Sequence, residues 1–185
     1  WHNNKIRQLD PETGIVKVMA GNSYGYNGEG VPAYQGIFNQ PKALAVDETG
    51  TIYLIDQRNQ RIRVITSGPE RTISTLAGDG TQGYAGDGGD VSTAQFHWDG
   101  NTTPIPSGAL ALRGTELYIA DSLNHRIRKL DLATGQLSCV AGTGVAGNTG
   151  DGGSALLAEL NSPLDLELER SEEELCLTQS HNAKL

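Results

Sequence analysis

Asn124-His125-Arg126-Ile127-Arg128 is a phrase that this chain repeats. Earlier copies read Asn3-Asn4-Lys5-Ile6-Arg7 and Asn59-Gln60-Arg61-Ile62-Arg63, and the sequence ends on the start of another, Asn182-Ala183-Lys184-Leu185. The asparagines of successive copies lie 56, 65 and 58 residues apart (3 to 59, 59 to 124 and 124 to 182). Recurrence on this scale predicts a repeat architecture, so fold and function have to be argued for each repeat.

Other marks keep the same spacing. Each copy is followed by an Ala-Gly pair, a Gly-acid-Gly loop, a large apolar residue and a proline. The marks are Ala20-Gly21, Ala77-Gly78 and Ala141-Gly142; residues 28–30, 86–89 and 150–153; Phe38, Phe96 and Leu160; and Pro41, Pro106 and Pro163. The second loop is longer because of an insert over residues 97–106. Four marks in register indicate one structural unit used several times.

Each full repeat contains four short strand-like runs. We predict them at 43–47, 52–56, 61–66 and 73–77 in the second repeat, and at 108–112, 116–121, 126–131 and 137–141 in the third. The first two runs are almost continuously apolar, which predicts strands covered on both faces. The third run alternates, as in Arg126-Ile127-Arg128, which predicts a strand nearer solvent. A recurring four-stranded unit of this kind is typical of a β-propeller blade.

Residues 118–131 (YIADSLNHRIRKLD) resemble an NHL repeat. The loop that follows, with Gly150-Asp151-Gly152-Gly153, is similar to the long-loop variety of secreted and cell-surface proteins, including teneurins and bacterial secreted NHL domains. The earlier copies depart from this pattern, with Gln60 and Asn4 where the third has His125. The resemblance implies an all-β propeller, usually six-bladed and used as a binding platform; some relatives are enzymes and some bind RNA.

The chain covers about three of the six expected blades. We predict a half blade over residues 1–20, blades over 41–77 and 106–141, and a half blade over 163–185. Open blade faces would leave large apolar patches that need a partner. Three interpretations stay open: the chain is an excised part of a longer protein, whose missing blades cover these faces; two copies associate into one ring; or the arc of blades is capped in some other way. Trp1, in place of an initiator methionine, favours a natural N-terminus further upstream.

Charge excludes one class of partner. The chain has 14 Lys and Arg against 22 Asp and Glu, a net charge of −8, which argues against nucleic-acid binding. The recurring arginines are instead predicted to be structural, with Arg63 paired to Asp56 and Arg128 to Asp121 across a hairpin. No apolar run is long enough to insert into a membrane.

The long loops are the candidate binding surface. The insert is the least repeat-like segment, and its Trp98, with His97 and Asp99, is predicted to contact a partner; the alternative is that Trp98 only covers the blade edge. Tyr26 and Tyr84 precede their Gly-acid-Gly turns at the same register, where the third repeat has Asn148. Tyr24 is predicted to share the same rim.

Metal chemistry has little support. Asp87, Asp90 or Asp151 offer oxygen ligands for calcium, but the usual calcium-loop spacing is absent, and a tight glycine turn is the alternative. His125 lies inside the repeat phrase and is predicted to be a turn residue. No cofactor is therefore predicted.

The predicted function is a non-catalytic binding scaffold for protein or glycan, at a secreted, periplasmic or cell-surface location. The alternative is a lactonase-like or lyase-like propeller enzyme with an axial metal. Lys42, Ser107 and Asp165, at the starts of the inner strands, form no convincing metal cage for that alternative. Cys139 and Cys176 show no zinc spacing, and whether they form a disulfide stays open.

Overall fold

A computed structural model describes residues 3–98, 107–169 and 174–179, and these residues form an all-β structure of short antiparallel strands. The strands are β1 Ile6–Leu9, β2 Val16–Ala20, β3 Val31–Pro32, β4 Pro41–Val46, β5 Ile52–Asp56, β6 Arg61–Ile65, β7 Thr72–Ala77, β8 Leu110–Arg113, β9 Glu116–Asp121, β10 Arg126–Asp131, β11 Gln136–Ala141, β12 Pro163–Leu168 and β13 Leu175–Gln179. Single 3₁₀ turns lie at Ala33–Gln35, Gln57–Asn59, Val91–Thr93, Ser122–Asn124 and Ala155–Leu157. The predicted fold class, a partial β-propeller, is confirmed.

The strands form four sheets in chain order. The first pairs β1 with β2, the second has the order β3-β7-β6-β5-β4, the third β11-β10-β9-β8, and the fourth pairs β12 with β13. Apart from the two-residue β3, the second and third sheets therefore repeat one four-stranded meander. This is the arrangement that the repeated marks predict.

The repeat phrase lies at the same structural position in both complete sheets. A 3₁₀ turn leaves the second strand of the meander, and Gln60 or His125 then takes a left-handed conformation, with φ of 49° and 53°. The third strand follows, paired in the same register: Asp56 faces Arg61, and Asp121 faces Arg126. A β-bulge after Ile62 and after Ile127 turns the next arginine toward the preceding long loop.

The apolar cores lie between neighbouring sheets. Phe38, Leu54 and Ile65 pack in the cluster between the first and second sheets. Phe96, Trp98 and Ile119 pack in the cluster between the second and third. The large apolar residue of the long loop, Phe38 in the first and Phe96 in the second, thus fills the space between two sheets, which explains why such a residue recurs with the repeat.

The predicted burial of the third strand is wrong. Ile62, Arg63 and Ile65 of β6 are fully buried, so this strand does not lie near solvent. Alternation of arginine with isoleucine predicts that one face of the strand is exposed to solvent, but the Arg63 guanidinium donates its hydrogen bonds to acceptors inside the protein. A buried charge with enough partners produces the same sequence pattern as an exposed one.

The predicted burial of the innermost strand holds in some sheets only. Leu44, Leu110 and Leu166 occupy one repeat position, because each pairs with the matching residue of the next strand. Leu110 and Leu166 are 8% and 4% exposed, whereas Leu44 is 49% exposed. The first sheet has no described strand on the inner side of β1, so Leu44 lacks the neighbouring inner strand that packs on Leu110 and Leu166.

Two smaller expectations also change. The sequence predicts a helical turn over residues 155–160, with Leu156, Leu157 and Leu160 available to pack; the turn forms at Ala155–Leu157, but only Leu160 is buried. Cys139 is half-buried and Cys176 exposed, and both are free thiols.

Candidate functional site

The shared chemistry of the repeat phrase is a buried ion pair. Arg63 Nη1 lies 3.5 Å from Asp56 Oδ2, and Arg128 Nη1 lies 3.5 Å from Asp121 Oδ2; all four side chains are fully buried. Each aspartate also accepts a backbone N–H from the long loop, from Asn39 in one case and His97 in the other. The predicted partnership of these residues is therefore present in the structure.

The same arginines bind the long loop. Arg128 donates to Asp87 Oδ1 from Nε and Nη2, at 3.0 and 2.7 Å, and to the carbonyls of Ala85 and Gln95. Arg63 donates to the carbonyls of Asn27 and Gly28 and lies 3.4 Å from Glu29. The planar guanidinium has five donors, which suits one side chain that must satisfy several fixed acceptors.

These contacts explain the Gly-acid-Gly loop. The sequence predicts that the acid bonds its own backbone or offers an oxygen ligand to calcium. Asp87 instead binds Arg128 and accepts from the Tyr84 hydroxyl, while Glu29 accepts from Thr75 and Tyr26. Asp90 follows the first expectation, because its side chain accepts the N–H of Ser92.

Burial dominates the electrostatics of the paired aspartates. Desolvation raises the pKa of both Asp56 and Asp121 to about 6, against the opposing effects of their hydrogen bonds and of the arginines. Because the folded pKa exceeds the unfolded value near 4, these groups favour folding most at low pH, and that contribution is lost as pH rises toward 6. The ion pairs are thus costly elements that the fold retains for their geometry.

The residue with positive φ in each phrase has one shared role. Asn4, Gln60 and His125 each accept a backbone N–H from the next repeat. His125 Nδ1 accepts from Ser162 at 3.1 Å, so the imidazole is neutral at that nitrogen. This confirms His125 as a turn residue that joins the third sheet to the fourth.

His125 makes this junction sensitive to pH. Burial, with the nearby charges of Arg126 and His97, lowers the pKa of His125. Its stabilising contribution is therefore present above the unfolded value of about 6.5 and is lost as pH falls below it. We expect wild type to lose more thermal stability between pH 7 and pH 5 than His125→Gln, which copies Gln60. Melting curves at both pH values test this, and equal losses in the two proteins would contradict it.

Tyr26 and Tyr84 occupy equivalent, half-exposed positions on the loop rim. The Tyr84 ring lies 3.9 Å from the guanidinium carbon of Arg126 and 5.1 Å from that of Arg128, and its hydroxyl donates to Asp87. Tyr26 lies over Arg61 and Arg63 in the same way. The two rings remain 44% and 41% exposed, for Tyr26 and Tyr84 respectively. Asn148 at the same position of the third repeat predicts that the fold does not require these rings. That prediction is wrong, since each ring covers two arginines.

Trp98 is a core residue and lies away from the accessible rim. Its side chain is fully buried and stacks on Phe96, with ring centroids 4.5 Å apart. Its indole N–H donates to the Ala120 carbonyl at 2.8 Å, and its backbone N–H donates to Gln60. The prediction that Trp98 contacts a partner is wrong for this structure, because any contact would require opening the core.

The other predicted rim residues are divided. Tyr24 is 63% exposed. His97 is half-buried, and its backbone N–H is bonded to Asp121. Asp99 and the rest of the insert, 99–106, lie outside the described residues.

A groove of about 730 Å³ runs along the inner strands of three sheets. Its lining includes Leu44, Leu110 and Leu166, with Arg113 and Glu167.

The residues at the starts of the inner strands form no metal site: Ser107 is buried against the Trp98 carbonyl, and Lys42 and Asp165 are exposed. Within residues 3–98, 107–169 and 174–179, no three His, Cys, Asp or Glu side chains cluster closely enough to hold a metal ion. No helix in this part of the chain is long and apolar enough to cross a membrane.

Known proteins share this pattern. The chain is 30% identical to the protein SUPPRESSOR OF QUENCHING 1, chloroplastic, of Arabidopsis thaliana, over 142 aligned residues that cover 72% of this chain and 13% of the plant protein. It is 31% identical to human NHL repeat-containing protein 2 over 54% of this chain and 14% of that protein. The chain is a partial β-propeller of the NHL type. It spans about a seventh of the length of these curated relatives, and no family model matches it.

Solved structures share this fold. One is a structural genomics protein of unknown function from Bacteroides thetaiotaomicron, with a TM-score of 0.64 and 25% identity over 89% of this chain and 37% of that one. Auxiliary nutrient binding proteins from B. thetaiotaomicron and B. ovatus give TM-scores of 0.65 and 0.66, at 17% and 15% identity. They cover 96% and 95% of this chain, which covers 40% of each.

Sequence reasoning missed the ion pair between the second arginine of the phrase and the acid of the Gly-acid-Gly turn. It paired Arg128 with Asp121 seven residues away, but not with Asp87, which lies 41 residues earlier. The signal was present: the acid of the Gly-acid-Gly turn and the second arginine of the phrase both recur in every full copy. Residues that recur together in a repeat are candidates for mutual contact.

Proposed function

We propose that this chain is a non-catalytic binding scaffold for a protein or glycan partner. The observation that carries the proposal is the loop rim, defined by Tyr24, Tyr26 and Tyr84. Tyr26 and Tyr84 are held by a hydroxyl hydrogen bond and by stacking on two arginines, yet nearly half of each ring remains exposed. An aromatic ring fixed before binding loses little entropy when a partner covers it.

The comparisons support a binding role by analogy of fold. Two of the similar Bacteroides structures are auxiliary nutrient binding proteins.

We further propose that the loops are of the long-loop NHL variety, resembling teneurins, and that the chain works at a secreted, periplasmic or cell-surface location. The plant relative is chloroplastic by name, so location needs its own test. The native protein should appear in the culture medium, or be degraded by protease added to intact cells or to cells with a permeabilised outer membrane; a protein that is found only in cells and is released only by full lysis would overturn this location.

The binding proposal is tested on a glycan array and a displayed peptide library. Wild type should select a glycan or peptide, and Tyr84→Asn, which copies Asn148, should weaken the selected interaction by about 1–2 kcal/mol. Tyr84→Asn should also lower the free energy of unfolding by about 1 kcal/mol, because the stack on Arg126 is lost. Affinity must therefore be measured per folded molecule, with folding checked by circular dichroism.

Glu48→Gln is the matched control. Glu48 lies in the exposed turn between β4 and β5, at the opposite end of the strands from the long loops, so neither affinity nor stability should change. Tyr24→Ala adds a rim variant whose ring is 63% exposed. Failure to select any ligand, or an affinity unchanged in both tyrosine variants, would overturn the proposed rim.

A further inference from the structure

A pocket of about 440 Å³ lies between the first and second sheets, apart from the groove along the inner strands. Its walls are Met19 of β2, residues 32–34 of the long loop, and residues 69–72, where the turn from β6 enters β7. This volume falls within the ~300–1,000 Å³ usual for small-molecule sites. We propose that the pocket binds one neutral sugar unit, at a site separate from the loop rim.

The opening of the pocket belongs to the repeat itself. Tyr34 matches Ser92, because each is the middle residue of the 3₁₀ turn in its long loop. Ser92 lies in the loop between the two complete sheets, and it is exposed as Tyr34 is. Met19 matches Leu76, because each precedes the Ala-Gly pair, and both are half-buried. The exposure of these positions is therefore a property of every such junction, including the one whose two sheets are complete.

The turn before β7 departs from the repeat. It has seven residues, 66–72, between matching pairs of strand residues, against six, 131–136, in the third sheet. Asp131 closes the shorter turn by accepting two backbone N–H groups, whereas Arg71 fixes the longer turn by donating to two carbonyls. The departure places a proline, an acid and a cation in the pocket wall, where the third sheet has only Ala, Thr and Gly.

The aromatic wall suits a ligand with a flat apolar face. The Tyr34 ring is 64% exposed, although its hydroxyl accepts a hydrogen bond from the Gln35 amide at 3.1 Å. The ring is thus held in place before any ligand arrives, which keeps the entropy cost of binding low. A hexose has a face of C–H groups that can pack on such a ring, and hydroxyls at its edge that both donate and accept.

The charged wall favours a neutral ligand. Glu70 is exposed and makes no hydrogen bond or ion pair with a described residue, so its carboxylate can accept from ligand hydroxyls. Arg71 commits Nη1 to two carbonyls, while its Nε and Nη2 have no acceptor among the described residues. An anionic ligand would be repelled by Glu70 and by the net charge of −8, and a cationic one by Arg71. Sugar hydroxyls satisfy both side chains.

Saturation-transfer NMR of the whole chain, with glucose, galactose and mannose as probes, tests this assignment. At least one hexose should receive saturation, most strongly at the protons of one ring face. Tyr34→Ser, which copies Ser92 and should therefore fold, should weaken that binding by at least about tenfold. Ser92→Ala, at the same position of the next loop, is the matched control and should bind as wild type does. No signal from any hexose, or equal binding by wild type and Tyr34→Ser, would overturn the proposal.

A charged sugar tests the role of Glu70. The uronate of the selected hexose differs from it by one carboxylate and should bind wild type more weakly. Glu70→Gln removes the repulsion and a strong acceptor together, so it should weaken hexose binding and narrow the difference between hexose and uronate. A uronate that binds wild type better than the hexose would overturn the neutral assignment.

The rim variants separate this pocket from the proposed rim. Arg71 donates to the carbonyl of Gly50 in the β4–β5 turn, so the pocket lies at the other end of the strands from the repeat phrase. Tyr84→Asn should therefore leave hexose binding unchanged. Hexose binding lost in Tyr84→Asn and kept in Tyr34→Ser would move the sugar to the rim, which overturns the pocket and supports the proposed function. A proline-rich peptide that binds through Tyr34, where no hexose binds, would also overturn the sugar assignment.

Discussion

Arg128→Ala is expected to lower the free energy of unfolding by about 3–5 kcal/mol. The guanidinium is fully buried, so its loss leaves the buried Asp121 carboxylate without a cation. It also removes both hydrogen bonds to Asp87 and those to the carbonyls of Ala85 and Gln95. Urea denaturation followed by circular dichroism measures the change.

Lys129→Val is the matched control for Arg128→Ala. Lys129 pairs with Glu116 at 2.6 Å, but both side chains are about one-third exposed, and Val64 stands at the same position in the second repeat. Its removal should cost less than about 1 kcal/mol, since exposed ion pairs contribute little. A loss of similar size in both variants would contradict the special role of the buried arginine.

The loss in Arg128→Ala should depend on pH. Burial already raises the pKa of Asp121 to about 6, and removal of the cation raises it further. The variant therefore carries an unpaired buried charge at pH 7.5, whereas at pH 5 much of Asp121 is protonated. We expect a smaller difference from wild type at pH 5 than at pH 7.5. A difference that is the same at both pH values would show that the carboxylate is not the stranded group.

The repeat determined how far sequence reasoning could reach. Strand order and the second strands, such as Ile52–Asp56, were predictable because four marks recur in register. The burial of Arg63 was not, because a polar residue in an alternating strand is usually solvated, and only the loop contacts made 36 residues away in sequence reverse that expectation. The exposure of Leu44 could not be predicted from the sequence either, because it depends on the neighbouring sheet and not on the local sequence pattern.

The candidate site shows the same limit. The shared register of Tyr26 and Tyr84 predicts that they are equivalent, and the structure gives them equivalent contacts, but their stacks on arginines depend on three-dimensional neighbours that the register does not reveal. Trp98 was selected because it departs from the repeat, where Gln40 and Ser162 hold the equivalent positions. Departure from a repeat marks a place where the packing differs, and in this case the difference lies inside the core.

Trp98→Ala is expected to destabilise the chain by about 3–5 kcal/mol. The indole is fully buried between the second and third sheets and stacks nearly parallel to Phe96, at an interplanar angle of 10°. Gly108 lies so close that a Cβ there would come within 2.9 Å of the indole ring, so the surrounding backbone is fitted to this side chain. Truncation therefore leaves a cavity and removes the hydrogen bond to the Ala120 carbonyl.

Trp98→Phe separates packing from hydrogen bonding. The phenyl ring fills much of the space and keeps the stack on Phe96, so the variant should lose only about 1–2 kcal/mol, mostly from the unpaired Ala120 carbonyl and the smaller volume. Chemical denaturation of wild type and both variants gives the comparison. Any ligand that the loop rim is found to bind should keep its affinity, measured per folded molecule, in both Trp98 variants. A Trp98→Ala protein that keeps its stability but loses binding would show that Trp98 contacts the ligand, and would contradict its place in the core.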